Sequence, residues 1–362
     1  MRLVSVSKLK PDMVLARSIY YRDCLILKEG QTELYRYANR LKNIGIEYVY
    51  VEDAFSEGIE VSDAIREGTR VACKRLLRNA IENFSNNSTL DMSELSQGIN
   101  NIVDDILKIT DVQVSLSDIC SADDYTFSHS VSATVYSLLI GKKMGYNKAM
   151  LEKLATGTLL HDIGKVMIDK RILCKQGKLN KEEFEYIKKH TLLGYEALKK
   201  CRQITELSRV IALHHHERMD ATGYPYGLPA GELHEFSRIV AVADVYDALT
   251  SNRCYRNKWT TVGAVNHLIE CSDTKLDTNL VAALIQQIAI YPNGSMVHLS
   301  NNYIGIVREQ NRSMPFRPIV RVIADDLGHE VKMFEIELMK ELSITILETE
   351  IERSEKWSLF DF

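Results

Sequence analysis

Between residues 115 and 290, apolar side chains recur every three or four positions, and the chain's histidines crowd into the same stretch. Runs such as VSATVYSLLIGKKMG (131–145), KEEFEYIKKHTLLGYEALKK (181–200) and FSRIVAVADVYDALTS (236–251) carry the helical period. Six of the ten histidines lie between His129 and His216. A bundle of such helices turns its inward side chains toward a shared centre. The segment is therefore expected to be a helical domain with a polar, histidine-lined interior.

The flanking segments have a different character. In residues 1–55, the β-rich runs MVLARSIY (13–20) and CLILKEG (24–30) are joined by polar Tyr21-Arg22-Asp23, which reads as a hairpin. A helix is expected over 33–45, stopped by Gly45, and a strand over 48–53. This is a small α+β N-terminal unit with no ligand constellation. Linking helices are expected over 62–84 and 91–110 within 56–114, separated by the SNNST break (85–89). They are compatible with homodimer pairing, but their spacing is too irregular for a coiled coil. From 291 to 362 apolar and polar residues alternate around Asn-Gly, Asn-Asn and Leu-Gly turn signals, which predicts a small β-rich C-terminal subdomain. The fold class expected is mainly α: a helical catalytic domain over 115–290 between these two smaller units.

Composition excludes several classes. With 45% hydrophobic and 26% charged residues, the 362-residue chain has material for two or three packed domains. A net charge of -4 gives no reason to expect a nucleic-acid polymer as partner. Seven cysteines, all single, fit reduced thiols better than a disulfide framework or a zinc ribbon. The N-terminus, interrupted by Lys8, Lys10 and Asp12, does not read as a signal peptide, and no apolar run is long enough for a membrane span. A cytoplasmic location is expected.

The sharpest local signal is His161-Asp162-Ile163-Gly164-Lys165 at the end of the apolar run LATGTLL (154–160). Burying an ionisable pair there is costly unless something compensates it, and a divalent metal is the usual compensation for imidazole and carboxylate together. Taken alone, an HD dipeptide is more often a buried hydrogen bond or a helix cap. It is not alone: His129, His190, His214-His215-His216-Glu217 and Asp244 lie in the same helical segment, several beside strongly apolar runs.

In this order, with Asp220, Gly223-Tyr224-Pro225 and the stretch Asp247 to Arg256, these residues closely resemble the HD-GYP subgroup of the HD-domain phosphohydrolases, over roughly 120–290. The resemblance implies a metal-dependent phosphodiesterase that hydrolyses cyclic di-GMP to pGpG and then GMP. It implies two, sometimes three, metals, often iron or manganese. Carried over by position, His129, His161, Asp162 and Asp244 form one metal site, and Asp162 bridges to a second held by His190, His215 and His216. The histidine triplet leaves a register question, in which the spacing to Glu217 and Gly223-Tyr224-Pro225 favours His215 and His216. Asp162 and Lys165 are the catalytic candidates, since two close metals can turn a bridging water into hydroxide near neutral pH. Lys165, Arg253 and Arg256 match the family's phosphate-binding cations, and Tyr224 is a candidate for substrate or for a signalling partner at the GYP loop.

The sequence departs from the family twice. Ala221 replaces the first Gly of D-G-x-G-Y-P, and Tyr125 stands where members with three metals carry Glu. A binuclear site is therefore expected, and with it a reaction that could stop at pGpG. Two other readings remain open: a catalytically weak cyclic-dinucleotide sensor or scaffold, and an HD hydrolase of another cyclic dinucleotide.

Overall fold

The structure is a computed structural model and describes residues 1–21, 24–87, 89–109, 125–173, 175, 177–251 and 259–349. The chain opens with β1 (Arg2–Ser5), β2 (Val14–Leu15), β3 (Ile19–Tyr21), β4 (Cys24–Leu27), α1 (Ala38–Asn43) and β5 (Tyr48–Glu52). Strands β1 and β2 flank β5 in one antiparallel sheet, and β3 pairs with β4 as a separate hairpin. The run 13–20 is thus divided between two sheets. Arg17, at the division, reaches out to Asp63 at 2.6 Å and donates to the Val61 carbonyl at 2.8 Å. Leu15, Ile19, Leu34, Leu41 and Val51 form this unit's own core.

Two long helices follow, α2 (Glu67–Asn87) and α3 (Ser93–Lys108). Helix α2 starts five residues later than its apolar pattern suggests. Asp105 of α3 holds its first turn, accepting from the Arg66 guanidinium at 2.9 Å and the Thr69 hydroxyl at 2.7 Å. The helical region continues with α4 (Tyr125–Lys143), α5 (Lys148–Leu159), the short α6 (Lys170–Leu173), α7 (Lys181–Lys188), α8 (His190–Lys199), α9 (Glu206–His214), α10 (Glu235–Thr250), α11 (Thr261–Cys271) and α12 (Thr278–Ile285). One continuous apolar core runs from Ala64 through α2 and α3 to Ile288, so the linking helices belong to the bundle's packing.

The C-terminal strands are β6 (Met296–Leu299), β7 (Tyr303–Glu309), β8 (Ile319–Asp325), β9 (Glu330–Glu337) and β10 (Ile346–Thr349), in antiparallel order β10-β6-β7-β8-β9. Asn302 and Gly328 take positive φ at the two hairpin turns, as the Asn-Asn and Leu-Gly signals predict. The mainly α architecture with small sheet units at either end is as expected; β1 and β10 had no clear sequence signal.

The two ends of the chain meet. Arg2, 2% exposed, pairs with Asp53 at 2.7 Å and points a second guanidinium nitrogen at the Met296 sulfur, 3.3 Å away. Arg321 of β8 donates to the Phe55 carbonyl at 3.3 Å, and Asn293 donates to the Glu60 carbonyl at 2.8 Å. Ile59 completes a small apolar core with Met296, Ile304, Ile306 and Ile323. Among the described residues, no helix is long and apolar enough to cross a membrane.

Candidate metal centre

Each candidate ligand sits where a helix begins, ends or lies buried. Helix α5 ends at Leu159, and the next residues turn so that His161 and Asp162 point inward. The 3-10 turn Ile163–Met167 then carries Lys165. Gly164 is required there: a Cβ on it would stand 1.9 Å from the His190 carbonyl oxygen. This close approach seats His190, the first residue of α8, against Asp162. His215 and His216 follow the last turn of α9, His129 lies in the first half of α4, and Asp244 lies in the middle of α10.

The structure brings these seven residues together in two groups. His129, His161 and Asp244 form one, and Asp162, His190, His215 and His216 the other; within each group one ligand atom per residue lies within 4.8 Å of the rest. Asp162 faces both. Its Oδ2 is 3.4 Å from His161 Nε2 and 3.9 Å from His129 Nε2, and its Oδ1 is 3.4 Å from His190 Nε2 and 3.8 Å from His215 Nε2. His129 Nε2 stands 3.2 Å from Asp244 Oδ1. His214 points elsewhere, its ring against Tyr226.

The outer nitrogens show why the rings hold this orientation. Nδ1 of His161 lies 2.7 Å from the Thr158 carbonyl, Nδ1 of His190 2.7 Å from the Ile187 carbonyl, and Nδ1 of His215 3.0 Å from the Ile211 carbonyl. A carbonyl only accepts, so each Nδ1 carries the proton and each Nε2 turns a lone pair to the centre. The His129 ring is held by Asp247, whose Oδ2 is 2.6 Å from its Nδ1. Asp247 is 1% exposed and also accepts from the Ser251 hydroxyl.

Electrostatics follow from this crowding. Burial pushes His161, His190 and His215 below the ordinary imidazole value, and His216 down to about 3, so these rings are neutral donors. Burial alone would lower His129 too, but Asp244 and Asp247 on either side outweigh it and raise the ring to about 10. Asp162 is held well below the usual carboxylate range: burial opposes this, but Lys165 and the surrounding imidazoles prevail. The donor set fits divalent metals on its own chemistry. His161 Nε2 and Asp162 Oδ1 are buried without a hydrogen-bond partner, an expensive arrangement that cations between the groups would relieve.

The rim of the centre is built by the loop after α9. Glu217, 2% exposed, accepts three backbone N–H groups: Tyr226 at 2.8 Å, Gly227 at 3.1 Å and Leu228 at 3.1 Å. Gly223 crosses so close to the Glu217 backbone that a Cβ would lie 2.4 Å from its Cα. The loop so pinned lays the Tyr224 ring on His216, with centroids 4.7 Å apart, and leaves Tyr226 58% exposed. Lys165 pairs with Asp162 at the mouth. Arg253, Arg256 and the neighbourhood of Tyr125 that bears on a third metal lie outside the described residues.

Sequence reasoning gave no task to two residues that the structure makes prominent. Asp247 had a signal, because its spacing of three from Asp244 puts both carboxylates on one side of an apolar helix. Glu217 served only as a landmark for the histidine register; its backbone partners lie nine to eleven residues ahead, and no local pattern points to them.

The HD domain model matches residues 115–280, and a KOW domain associated with the HD domain matches residues 296–356. Residues 115–280 are thus an HD domain, in agreement with the resemblance that the motifs carry. Among the relatives is a cyclic di-GMP phosphodiesterase of Pseudomonas aeruginosa, 33% identical over 233 residues, which are 64% of this chain and 56% of the relative. A cyclic di-GMP phosphodiesterase of Thermotoga maritima is 42% identical over 136 residues, 37% of either chain. A 3'3'-cGAMP-specific phosphodiesterase of Vibrio cholerae is 34% identical over 169 residues, 47% of this chain and 36% of the relative. The chain thus spans about half the length, or less, of the curated relatives it matches.

Proposed function

We propose that the protein is a cytoplasmic, metal-dependent phosphodiesterase that opens cyclic di-GMP at a binuclear centre, giving pGpG or GMP. The observation that carries this reading is the placement of Asp162, one oxygen turned to each group of donors. His129, His161 and Asp244 would hold one divalent ion, His190, His215 and His216 the other, and Asp162 both; iron and manganese suit this mixture of imidazole and carboxylate. When bound, the pair supplies Lewis acidity to a water and to the phosphate oxygens.

The chain's own groups do the rest. The Nδ1 hydrogen bonds fix the imidazoles, so the centre does not reorganise as charge develops. Lys165, beside Asp162 and 29% exposed at its side chain, would meet a phosphate oxygen that approaches through the mouth. Tyr224, packed on His216, closes one side against water and offers a ring to the nucleoside. Arg253 and Arg256 are assigned to the phosphates by resemblance alone. Relatives specific for 3'3'-cGAMP support a second reading, in which the same centre acts on a mixed guanine–adenine ring.

The test is elemental analysis of protein purified without a chelating tag, followed by incubation with cyclic di-GMP, 3'3'-cGAMP and cyclic di-AMP in manganese or ferrous iron, with products separated by chromatography. About two metals per chain and conversion of cyclic di-GMP are expected. Preferred turnover of 3'3'-cGAMP would establish the second reading. Nucleotide binding with neither metal nor turnover would replace both with a sensor.

A further inference from the structure

Helix α7 (Lys181–Lys188) buries none of its residues, so core packing does not explain its side chains. It nevertheless carries Phe184, 46% exposed, with its ring toward the site rather than away from it. The Phe184 ring meets Tyr224 edge to face, with centroids 6.4 Å apart and planes at 78°. In the corner between them sits the Lys188 ammonium, 4.9 Å from the Phe184 centroid and 5.3 Å from that of Tyr224. Glu185 steadies it at 2.7 Å. The end of α7 is tied to the metal centre, because the Ile187 carbonyl accepts from His190 Nδ1 and Tyr224 lies on His216. The corner is therefore held beside the donors, with the Tyr224 ring centroid 4.7 Å from that of His216 and 6.4 Å from that of His190.

Two near-perpendicular aromatic faces with a cation in the angle suit a particular ligand fragment. A purine stacked on one ring would present its edge to the ammonium. Stacking on aromatic side chains accepts any base, whereas the ammonium is only a donor. Guanine offers the adjacent acceptors N7 and O6 on that edge; adenine offers N7 beside the N6 amino group, which is itself a donor. We infer that Phe184, Lys188 and Tyr224 form a base-binding corner that takes a purine of the substrate and favours guanine over adenine. The inference rests on the proposal that the substrate is a cyclic dinucleotide. It assigns Phe184 to affinity and Lys188 to base choice.

The experiment compares the wild-type chain with Phe184→Ala, Phe184→Tyr and Lys188→Met, all loaded with manganese. The substrates are cyclic di-GMP, cyclic di-AMP and the base-free diester bis(4-nitrophenyl) phosphate, with metal content measured in parallel. Phe184→Ala should raise KM for cyclic di-GMP about tenfold, with a much smaller change for the base-free diester, and Phe184→Tyr should restore it. Lys188→Met should lower the preference for cyclic di-GMP over cyclic di-AMP by about tenfold. An unchanged KM in Phe184→Ala, with wild-type protein active on cyclic di-GMP, would overturn the corner and leave the proposed function standing. An equal rise for the base-free diester, or loss of metal, would overturn it as well. Wild-type protein that cleaves the base-free diester but no cyclic dinucleotide would overturn both.

Discussion

The floor of the site and its rim are held by different means. On the floor, three histidines lean on helix backbone carbonyls three or four residues before them, and His129 leans on the buried Asp247, so ring orientation is set by secondary structure. On the rim, Tyr224 keeps its place because one carboxylate, Glu217, gathers a loop of irregular backbone, and Phe184 and Lys188 touch it only through ring and ammonium contacts. A floor built this way holds its imidazoles in one orientation whatever the rim does. A rim built this way can change its preferred base without disturbing the floor, and relatives named for two different cyclic dinucleotides are consistent with that division.

Three substitutions tell the floor from the rim. Asp162→Ala removes the carboxylate whose two oxygens each face two histidines, one pair in either group. Turnover should fall by about a thousandfold or more, with loss of metal seen by elemental analysis. Asp247→Ala leaves His129 without its orienting carboxylate and should weaken metal affinity by about 10- to 100-fold in a manganese titration, while cyclic-dinucleotide affinity at saturating metal changes little. Glu217→Ala strands three backbone donors. It should cost about 2 kcal/mol of stability in chemical denaturation and raise KM while metal content stays intact. If Glu217→Ala sheds metal as Asp247→Ala does, floor and rim are one unit and the distinction fails.

The smallest effect belongs to Asp105, which touches neither. Burial would raise its carboxyl, but hydrogen bonds from Arg66 and Thr69 outweigh this and hold it below the ordinary carboxylate value. A depressed folded value gives stability that is present above the unfolded value, about 3.9, and is lost as pH falls through the folded one. Asp105→Asn should therefore cost under about 1 kcal/mol at neutral pH, since Arg66 is solvent-screened, and should flatten the acid side of the stability profile. A normal acid limb in the variant would show that Asp105 is not the group responsible.

Much of the floor was legible because its determinants are local. His161 and Asp162 end an apolar run, Asp244 interrupts one, and the helical period marks which side turns inward. The rim was legible only as a motif. That Gly223 must lack a Cβ follows from its passage over Glu217, and that Phe184 faces Tyr224 follows from where α7 lies, neither of which is encoded by spacing. The N-terminal strands show the same limit. The run 13–20 reads as one strand by composition, yet Arg17 leaves the ladder for Asp63 and Val61, contacts some forty residues away.

The meeting of the chain's two ends has a consequence for how the molecule is made. Arg2 and Met296 are 294 positions apart, and the whole bundle lies between them in sequence. During synthesis the first unit can close around its own core, but the face that carries Arg2, Phe55 and Ile59 has to wait for the last strands to emerge. Ordering so long a loop makes this seam a late event, completed after the bundle has folded. A chain halted before β6 would leave Ile59 on an open apolar face that Met296, Ile304, Ile306 and Ile323 cover in the folded structure.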